Sequence, residues 1–423
     1  MVANYNAPTR AKRAGAVRDK RNVLSLFTGA GGLDLGLEAA GFKTCLCVEN
    51  DADALATLLL NRPKWRIADP NDAIDFAKSP VAALRRAGLK PSDITLLAGG
   101  PPCQPFSKAG QWAPNGRRRM RDPRAYRTIR AYLRIVEAVR PLVLLFENVP
   151  GFAFDGTSNG FDALAHGLHR INERQGTKYV AQLIKLNAAD YGVPQLRERV
   201  FVIAHKGGRT LTMPAPTHRA DGGPNKRHVT AWDAIGDLRE CTPSLKPQGR
   251  WANLLPSIPE GKNYLWHTPG QGGRPLFGWR TKYWSFLLKL AKNQPAWTIS
   301  ASPGPAIGPF HWSNRLLSVR ELCRLQTFPD DYKITGTRRV AQRQIGNAVP
   351  AALSELIGIE IRRQLLREQT RTRPSLVPSR RRITPRRAPT REVARKFLHL
   401  QGNHQAHPGT GKGPGRFAIS AIR

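Results

Sequence analysis

Apolar positions along the chain fall into short runs separated by stripes of helical spacing. Five of these runs predict buried strands, and they are Val23–Phe27, Thr44–Val48, Ile94–Ala98, Leu142–Phe146 and Arg199–Ala204. After the first run, Leu33, Leu37 and Ala40 share one helical face, and Gly41 is placed to end that helix. Three further helices are predicted, at Tyr126–Val139, around Val319–Leu325 and from Ala351 to about Leu366.

Strands that alternate with helices predict an α/β fold with a doubly wound, mostly parallel sheet. On this basis residues 22–205 form the main domain, and residues 301–366 return to it. Residues 206–300 lack clear periodicity and are rich in Gly, Pro, Trp and Lys, so they predict a smaller, irregular domain. The flanks, 1–21 and 367–423, are rich in Arg, Lys and Pro and predict disordered basic tails.

Net charge sets this chain apart from an ordinary soluble protein. The formal charge is +37 and the isoelectric point is about 11.1, which indicates a polyanionic partner, with nucleic acid the first candidate and an anionic membrane surface the second. No apolar run is long enough to span a membrane, and the N-terminus lacks the apolar core of a secretory signal. The five cysteines show no metal-ligand spacing, and their odd number favours a reducing cytoplasm over a disulfide framework.

A single cysteine, Cys103, stands in the segment GGPPCQPFS at 99–107. Two prolines stiffen the turn, and the apolar run before it predicts a strand whose carboxyl end carries the thiol. Open α/β sheets build their sites at such ends, so Cys103 is a candidate nucleophile. An ordinary buried cysteine in a turn is the alternative.

A glycine turn, FTGAGG at 27–32, follows the first strand and opens the first helix. Glycine lets a ligand approach the backbone, and Glu49 at the end of the next strand is suited to ribose hydroxyls. Asp34 stands where a dinucleotide fingerprint needs its third glycine. The turn therefore predicts a nucleoside cofactor without a pyrophosphate, with a plain strand–helix turn as the alternative.

Three polar segments complete the set of candidates. Glu147 ends a predicted strand at the same sheet edge as Cys103, although a solvated strand end gives the same pattern. In QLRER, alternation sends Gln195, Arg197 and Arg199 to one face, where they could grip a base or phosphate or pair with acidic neighbours. QIGNAVP at 344–350 predicts a loop that leads into the last helix.

Taken in order, these motifs resemble those of the DNA (cytosine-5) methyltransferase family. The matching segments are FTGAGG at 27–32, GGPPCQPFS at 99–107, ENV at 147–149, QLRER at 195–199, RELCRLQTFPD at 320–330 and QIGNAVP at 344–350. The resemblance covers about 22–366 and implies the S-adenosylmethionine-dependent methyltransferase fold, with 206–300 as the target-recognition region. It also implies a stand-alone bacterial enzyme of the restriction–modification type, with a solitary methyltransferase of epigenetic role as an alternative that fits the chain equally well.

The resemblance implies a mechanism and a set of catalytic residues. The thiolate of Cys103 would add to carbon 6 of a cytosine flipped out of duplex DNA, which makes carbon 5 nucleophilic. Glu147 would hydrogen-bond N3 and the exocyclic amine, and Arg199 would hold the O2 edge. Arg197 would support the loop or contact a phosphate. A base, expected to be water, would then remove the carbon 5 proton and Cys103 would be eliminated.

The implied cofactor is S-adenosyl-L-methionine. Matching the family's motifs places Phe27, Gly29 and Gly31 around its methionine and adenosine and Glu49 on its ribose. Two residues, Asn347 and Val349, would close the pocket from the C-terminal side. Asp69 is the candidate for the adenine amine, although its context, Ala-Asp-Pro, departs from the family's Gly-Asp-Ile. The basic loop 108–121 would close over the DNA.

The resemblance implies double-stranded DNA as the partner, with a cognate restriction endonuclease acting on the same site. A cytoplasmic monomer associated with the nucleoid through DNA is expected. Methylation of cytosine in tRNA is the alternative among enzymes, and a catalytically silent DNA-binding homologue is the alternative of another class. The presence of Cys103, Glu147, Arg197 and Arg199 argues against the silent homologue.

Overall fold

The central feature of the protein is a six-stranded sheet. A computed structural model describes residues 21–102, 123–153, 160–223, 226–239, 242–277, 284–379, 381 and 383–401. The strands of the sheet are β1 (Asn22–Leu26), β2 (Lys43–Val48), β3 (Leu96–Gly99), β4 (Val143–Asn148), β5 (Gln182–Asn187) and β7 (Glu198–His205). Short two-residue strands outside it are β6 (Gln195–Leu196), β8 (His218–Arg219), β9 (Lys226–Arg227) and β10 (Ala296–Trp297).

Strand order within the sheet is β2-β1-β3-β4-β7-β5. The first four strands pair in parallel, whereas β7 runs antiparallel to both of its neighbours. The carboxyl ends of β1 to β4 therefore meet at one edge, and the amino end of β7 arrives at the same edge. This mostly parallel α/β sheet confirms the predicted fold class.

Ten α-helices are found among the described residues. They are α1 (Gly32–Ala39), α2 (Ala52–Asn61), α3 (Ala73–Phe76), α4 (Pro80–Arg86), α5 (Pro123–Val139), α6 (Gly160–Gln175), α7 (Ala231–Ile235), α8 (Val319–Leu325), α9 (Arg338–Asn347) and α10 (Ala351–Glu360). Along β1, Leu24 and Leu26 face one core while Val23 faces another. This alternation buries both faces of the sheet, as a doubly wound fold requires.

Helices α1 and α10 pack unusually closely on one face of the sheet. A Cβ atom at Gly36 would lie 2.2 Å from the carbonyl oxygen of Ala351, and one at Gly358 would lie 2.7 Å from the Cβ of Ala40. Only glycine fits at these crossing points, so the N-terminal and C-terminal parts of the chain form one domain.

The smaller domain has its own apolar core, but its limits differ from the predicted 206–300. Its core includes Leu254, Tyr264 and Phe277 and extends past the predicted boundary to Phe310. At the other end, Leu211 and the buried residues of α7 pack into cores of the main domain. The lack of periodicity therefore indicated where the smaller domain lies but did not give its boundaries.

The C-terminal segment corrects the prediction of a disordered tail over 367–423. Described residues between 367 and 401 pack along both domains, and Phe397 is buried in the core of the smaller one. Residues 1–20 and 402–423 lie outside the described residues. A basic, proline-rich composition thus predicted disorder where specific contacts exist.

Several elements differ from the predictions in detail. The segment predicted as a loop at 344–350 is helical through Asn347, because α9 extends to that residue. The last helix, α10, ends at Glu360 and continues as a π-helical turn over Ile361–Leu365. The edge strand β5 was not predicted. Within the described part of the chain, no helix combines the length and apolarity needed to cross a bilayer.

Candidate active site

A cleft of about 320 Å³ opens at the sheet edge where the carboxyl ends of the parallel strands meet. Its lining comes from the glycine turn, the ends of β2 and β4, the start of β7 and helix α9, and includes Phe27, Gly29, Glu49, Asn50, Asp51, Gly100, Pro101, Pro102, Glu147, Arg199, Arg343, Asn347 and Val349. Segments far apart in sequence converge there because the sheet topology brings their ends together.

The glycine turn has the backbone conformation that its composition predicts. Gly29 and Gly31 adopt left-handed φ values of 56° and 79°, and Phe27 does so at 54°. A Cβ atom at Gly31 would lie 3.2 Å from the hydroxyl of Tyr332. Gly29 lines the cleft, whereas Gly31 shapes the turn and caps α1.

Glu49 is buried and fixes the glycine turn to the next segment of chain. Its Oε2 accepts the backbone N–H of Gly29 at 2.7 Å, and its Oε1 accepts that of Asp51 at 2.8 Å. Burial raises the pKa of this carboxyl, while the two backbone hydrogen bonds act in the opposite direction. The carboxylate is thus held at the cleft wall with lone pairs to spare for a ligand hydroxyl.

The opposite wall comes from the C-terminal part of the chain. Asn347 at the end of α9 is exposed to the cleft, and Val349 lies beyond it. On the same helix, Arg343 bonds the carboxylates of Asp51 and Asp53, the latter at 2.7 Å. This ion pair lowers the pKa of Asp51 and joins the two walls.

Glu147 and Arg199 form an ion pair at the other end of the cleft. Antiparallel pairing of β4 with β7 sets the end of one strand beside the start of the other. The Nε of Arg199 consequently lies 2.9 Å from Oε1 of Glu147, and both side chains are about one-tenth exposed. Burial raises the pKa of Glu147, whereas the charge of Arg199 opposes that rise. A carboxyl poised in this way can bind a proton and donate a hydrogen bond.

The segment before the predicted nucleophile passes directly over Glu147. A Cβ atom at Gly100 would lie 2.7 Å from Oε2 of Glu147, so glycine permits this approach. Asn148 holds the carbonyl of Pro101 through its side-chain amide at 3.3 Å. The described chain reaches Pro102 at the cleft; Cys103 and the loop 108–121 lie outside the described residues.

Arg197 and Gln195 are buried and are not among the residues that line the cleft, to which Arg199 contributes. The guanidinium of Arg197 is fully buried and donates to the carbonyls of Gly346 at 2.7 Å and Ala348 at 2.9 Å. Gln195 donates to the carbonyl of Leu325 at 3.1 Å. Gln195 and Arg197 thus hydrogen-bond within the protein, whereas Arg199 pairs with Glu147; the charge of Arg197 also acts to lower the pKa of Glu147.

Asp69 lies away from the cleft, contrary to the placement implied for an adenine contact. Its side chain is 90% exposed, and its carboxylate lies 3.7 Å from the guanidinium of Arg86. It is absent from the cleft lining, to which Asn50 and Asp51 contribute. The contact of Asp69 with a cofactor therefore stays a prediction.

Asp34 is buried and joins two strands of the sheet. In the sequence it stood out only because it occupies the position of the third glycine of a dinucleotide fingerprint. Its carboxyl accepts hydrogen bonds from Ser25 of β1 at 3.0 Å and Thr44 of β2 at 3.2 Å. Complete burial raises its pKa from 3.8 to about 7. A carboxyl flanked by leucines on a predicted helix was the signal that could have revealed this role.

The chemistry of the lining suits the predicted cofactor. Both guanidinium groups in the lining, those of Arg199 and Arg343, are engaged by carboxylates. A pyrophosphate would need free donors, whereas a cationic sulfonium beside Glu49 and Asp51 would find an acidic environment. The volume of the cleft is that of a small-ligand site. The residues therefore fit S-adenosylmethionine.

Several solved structures share the fold of this chain. A mutant of DNMT2 from Spodoptera frugiperda matches with a TM-score of 0.54 at 16% identity, covering 81% of this chain and 99% of that one. A methyltransferase of Entamoeba histolytica, EhMeth, matches with a TM-score of 0.53 at 15% identity, covering 81% and 98%. At these identities the likeness concerns the fold. Together, fold and cleft define an α/β protein with a small-ligand site at the edge of its sheet where the carboxyl ends of the parallel strands meet.

The family model for C-5 cytosine-specific DNA methylase matches residues 21–363. The chain belongs to this family and is a DNA cytosine-5 methyltransferase, which confirms the family resemblance. It is 37% identical to the Type II methyltransferase M.SacI of Streptomyces achromogenes, over 81% of this chain and 93% of the relative. It is 32% identical to M.MthTI of Methanothermobacter thermautotrophicus, over 81% and 98%.

Proposed function

We propose that this protein methylates carbon 5 of a flipped-out cytosine at a specific site in duplex DNA, through a covalent bond between Cys103 and carbon 6. The observation that carries the proposal is the buried Glu147–Arg199 pair, positioned where the chain reaches Pro102. A proton-binding carboxyl, a guanidinium and a neighbouring thiol are the groups that activation of a cytosine ring requires.

Carbon 5 of cytosine is too weak a nucleophile to accept a methyl group unaided. In the proposed step, the Cys103 thiolate forms a bond to carbon 6, and the ring π electrons shift so that carbon 5 becomes electron-rich. Once carbon 5 has accepted a methyl group, it still carries its proton; loss of that proton to a base, which we propose is water, expels the thiolate and restores the aromatic ring. When bound, S-adenosylmethionine supplies the electrophilic methyl group.

Glu147 offsets the charge that develops on the ring. Burial raises the pKa of Glu147 and so favours its protonated form; a protonated carboxyl donates to N3 while its carbonyl oxygen accepts from the exocyclic amine. Arg199, which holds Oε1 of Glu147, has further N–H donors for the O2 edge. Thymine and uracil lack the exocyclic amine, so this pair also favours cytosine.

Arg197 acts as a positioning residue. Its hydrogen bonds to the carbonyls of Gly346 and Ala348 fix the segment that carries Asn347 and Val349. We assign the cofactor-holding role to Phe27, Gly29 and Glu49 on one wall and Asn347 and Val349 on the other, with Gly31 shaping the turn. A duplex encloses the target base, so the cytosine must leave the helix to reach Glu147.

The relatives' names support a restriction–modification role, since both are Type II methyltransferases. We propose that the protein acts as a monomer on cytoplasmic DNA and shields sites from a cognate endonuclease. Methylation of cytosine in tRNA is the second candidate. The family description names DNA, and this favours the first candidate.

Labelled methyl transfer from S-adenosylmethionine tests the proposal. Wild-type protein and the C103A and C323A variants would be incubated with duplex DNA and with tRNA; Cys323 is a buried thiol in α8 and serves as the matched control. We expect labelled DNA from wild type and C323A, and none from C103A. Labelling of tRNA alone, or an active C103A, would overturn the proposal. Bisulfite sequencing of host DNA would then identify the site.

A further inference from the structure

The described residues between 367 and 401 form a strap that runs from the main domain to the smaller one. The strap follows the last helical turn and lies beyond residue 363, where the family match ends. It meets the rest of the protein at three places, each with buried or charged partners.

The first anchor is Glu355 of α10, whose side chain is completely buried. Its Oε1 accepts the backbone N–H of Ser375 at 2.7 Å and its hydroxyl at 2.9 Å, and its Oε2 accepts the N–H of Leu376 at 2.9 Å. Arg371 adds an ion pair. The hydrogen bonds described for this carboxylate thus all come from the strap, and a buried charge left without them would be costly.

The second anchor lies on α7 and the turn that follows it. The backbone N–H of Arg381 donates to Asp233 at 2.8 Å, and the guanidinium of Arg381 pairs with Asp237. Trp232 in turn donates its indole N–H to the carbonyl of Ile383 at 2.8 Å. Arg324 of α8 binds the same Asp237 carboxylate. This anchor therefore also involves α8, the helix next to α9 in the cleft wall that carries Asn347.

The third anchor lies within the smaller domain. Phe397 is 2% exposed and stacks on Trp251, with ring centroids 5.8 Å apart and planes 8° apart. Ala388 donates its backbone N–H to the carboxylate of the buried Glu260 at 3.2 Å, and Glu260 is also paired with Lys292. The strap therefore supplies part of the core of this domain.

We propose that the strap holds the smaller domain at a fixed position relative to the Glu147–Arg199 pair and is thereby needed for DNA recognition; this rests on the proposed function. A segment anchored at both ends limits how far the two domains can separate or rotate. Because the two domains are already held in position, less free energy is lost in ordering them when DNA binds. Ser375, Arg381 and Phe397 are then positioning residues that act through the domains they join.

Lengthening the strap loosens the connection between the two domains but leaves the packing contacts of the strap in place. Six Gly/Ser residues would be inserted between Thr384 and Pro385, between the second and third anchors, so that every anchor residue remains. An F397A variant would weaken the third anchor, and T390A, at an exposed position of the strap, is the matched control. KM for cognate DNA, kcat, the dissociation constant for S-adenosylhomocysteine and discrimination against non-cognate DNA would be measured for each.

We expect the insertion and F397A to raise KM for DNA about tenfold and to reduce discrimination, while the constant for S-adenosylhomocysteine changes less than about twofold. T390A should match wild type. An insertion variant with wild-type KM and discrimination would overturn the proposal, even if F397A fails to fold. A wild-type protein inactive on DNA would instead refute the proposed function, and the two failures are thus distinguishable.

Discussion

The two ends of the cleft are built from different parts of the polypeptide. At the Glu147 end (Gly100–Pro102, Glu147 and Arg199), two oppositely charged side chains face each other and are almost completely shielded from solvent. At the Glu49 end (Phe27–Gly31, Glu49 and Asn347–Val349), the wall is largely backbone, and the carboxylate of Glu49 is tied to backbone N–H groups. The first arrangement suits changing charge during a reaction, whereas the second suits shape recognition of a bound molecule.

Substitution at the Glu147 end should therefore affect the rate more than binding. E147Q keeps the size of the side chain and removes its proton-binding site. We expect kcat to fall by about 10²–10⁴-fold, because general-acid and electrostatic assistance are both lost. The dissociation constant for S-adenosylhomocysteine, measured by calorimetry, should remain within about twofold of wild type.

The matched control is E198Q, since Glu198 is an exposed carboxylate on the neighbouring strand β7, paired with Lys185 at 3.0 Å. E198Q should retain wild-type kcat. If E147Q kept more than about one-tenth of the activity, the assignment of chemistry to this end would fail.

Buried Arg197 links the two ends, and its loss should reduce stability as well as cofactor affinity. R197M removes the guanidinium that donates to the carbonyls of Gly346 and Ala348, of which Ala348 keeps only the longer bond from Gln326 among those described, so we expect the free energy of unfolding in urea to fall by about 2–4 kcal/mol. Affinity for S-adenosylhomocysteine should fall too, because Asn347 and Val349 lose their support. R339M, at an exposed position of α9, should change neither quantity. A variant R197M of normal stability and affinity would contradict the positioning role.

The strands and the end of the chain differ in how far sequence could predict them. Buried strands such as β4 show as apolar runs because both faces are covered. The edge strand β5 has mixed exposure and gave no such run. The strap was predicted to be disordered because its order comes from partners such as Glu355 and Trp251, which lie far away in sequence.

The residues of the site also divide into those whose placement the sequence could predict and those whose placement it could not. Glu147 and Arg199 meet because each ends or begins a strand at one sheet edge, and topology alone brings them there. Alternation placed Arg197 beside Arg199, but it could not show that Arg197 is buried and bonded to the carbonyls of Gly346 and Ala348, which are far away in sequence. For Asp69, a motif position was transferred although its neighbours differed, and the structure left its side chain in solvent.

The carboxyl of Asp34 offers a test of stability against pH at the Glu49 end. Its folded pKa of about 7 exceeds the unfolded value of 3.8, so the folded state binds the proton more tightly. This contribution is fully present below the unfolded pKa and is lost as the pH rises through 7. Between the two values it should lower the free energy of unfolding by about 1.4 kcal/mol per pH unit.

D34N should remove this dependence and raise stability above pH 7 relative to wild type. The measurement is urea unfolding from pH 5 to 9, with D75N as control because Asp75 is half exposed. Parallel pH profiles for D34N and wild type would show that Asp34 keeps an ordinary pKa.

Arg343 joins the two walls at the Glu49 end, and its effect should be the smallest. The side chains of Arg343 and Asp51 are 37% and 32% exposed, and such pairs contribute about 0.2–1 kcal/mol. R343Q should therefore weaken binding of S-adenosylhomocysteine about two- to fivefold at low salt, with kcat unchanged. In about 1 M salt, where the Debye length is about 3 Å, the difference from wild type should largely vanish. R339Q carries the same loss of charge on the same helix and should bind as wild type. A defect in R343Q that persists at high salt would mean that Arg343 contacts the cofactor directly and is more than an ion-pair link between the walls.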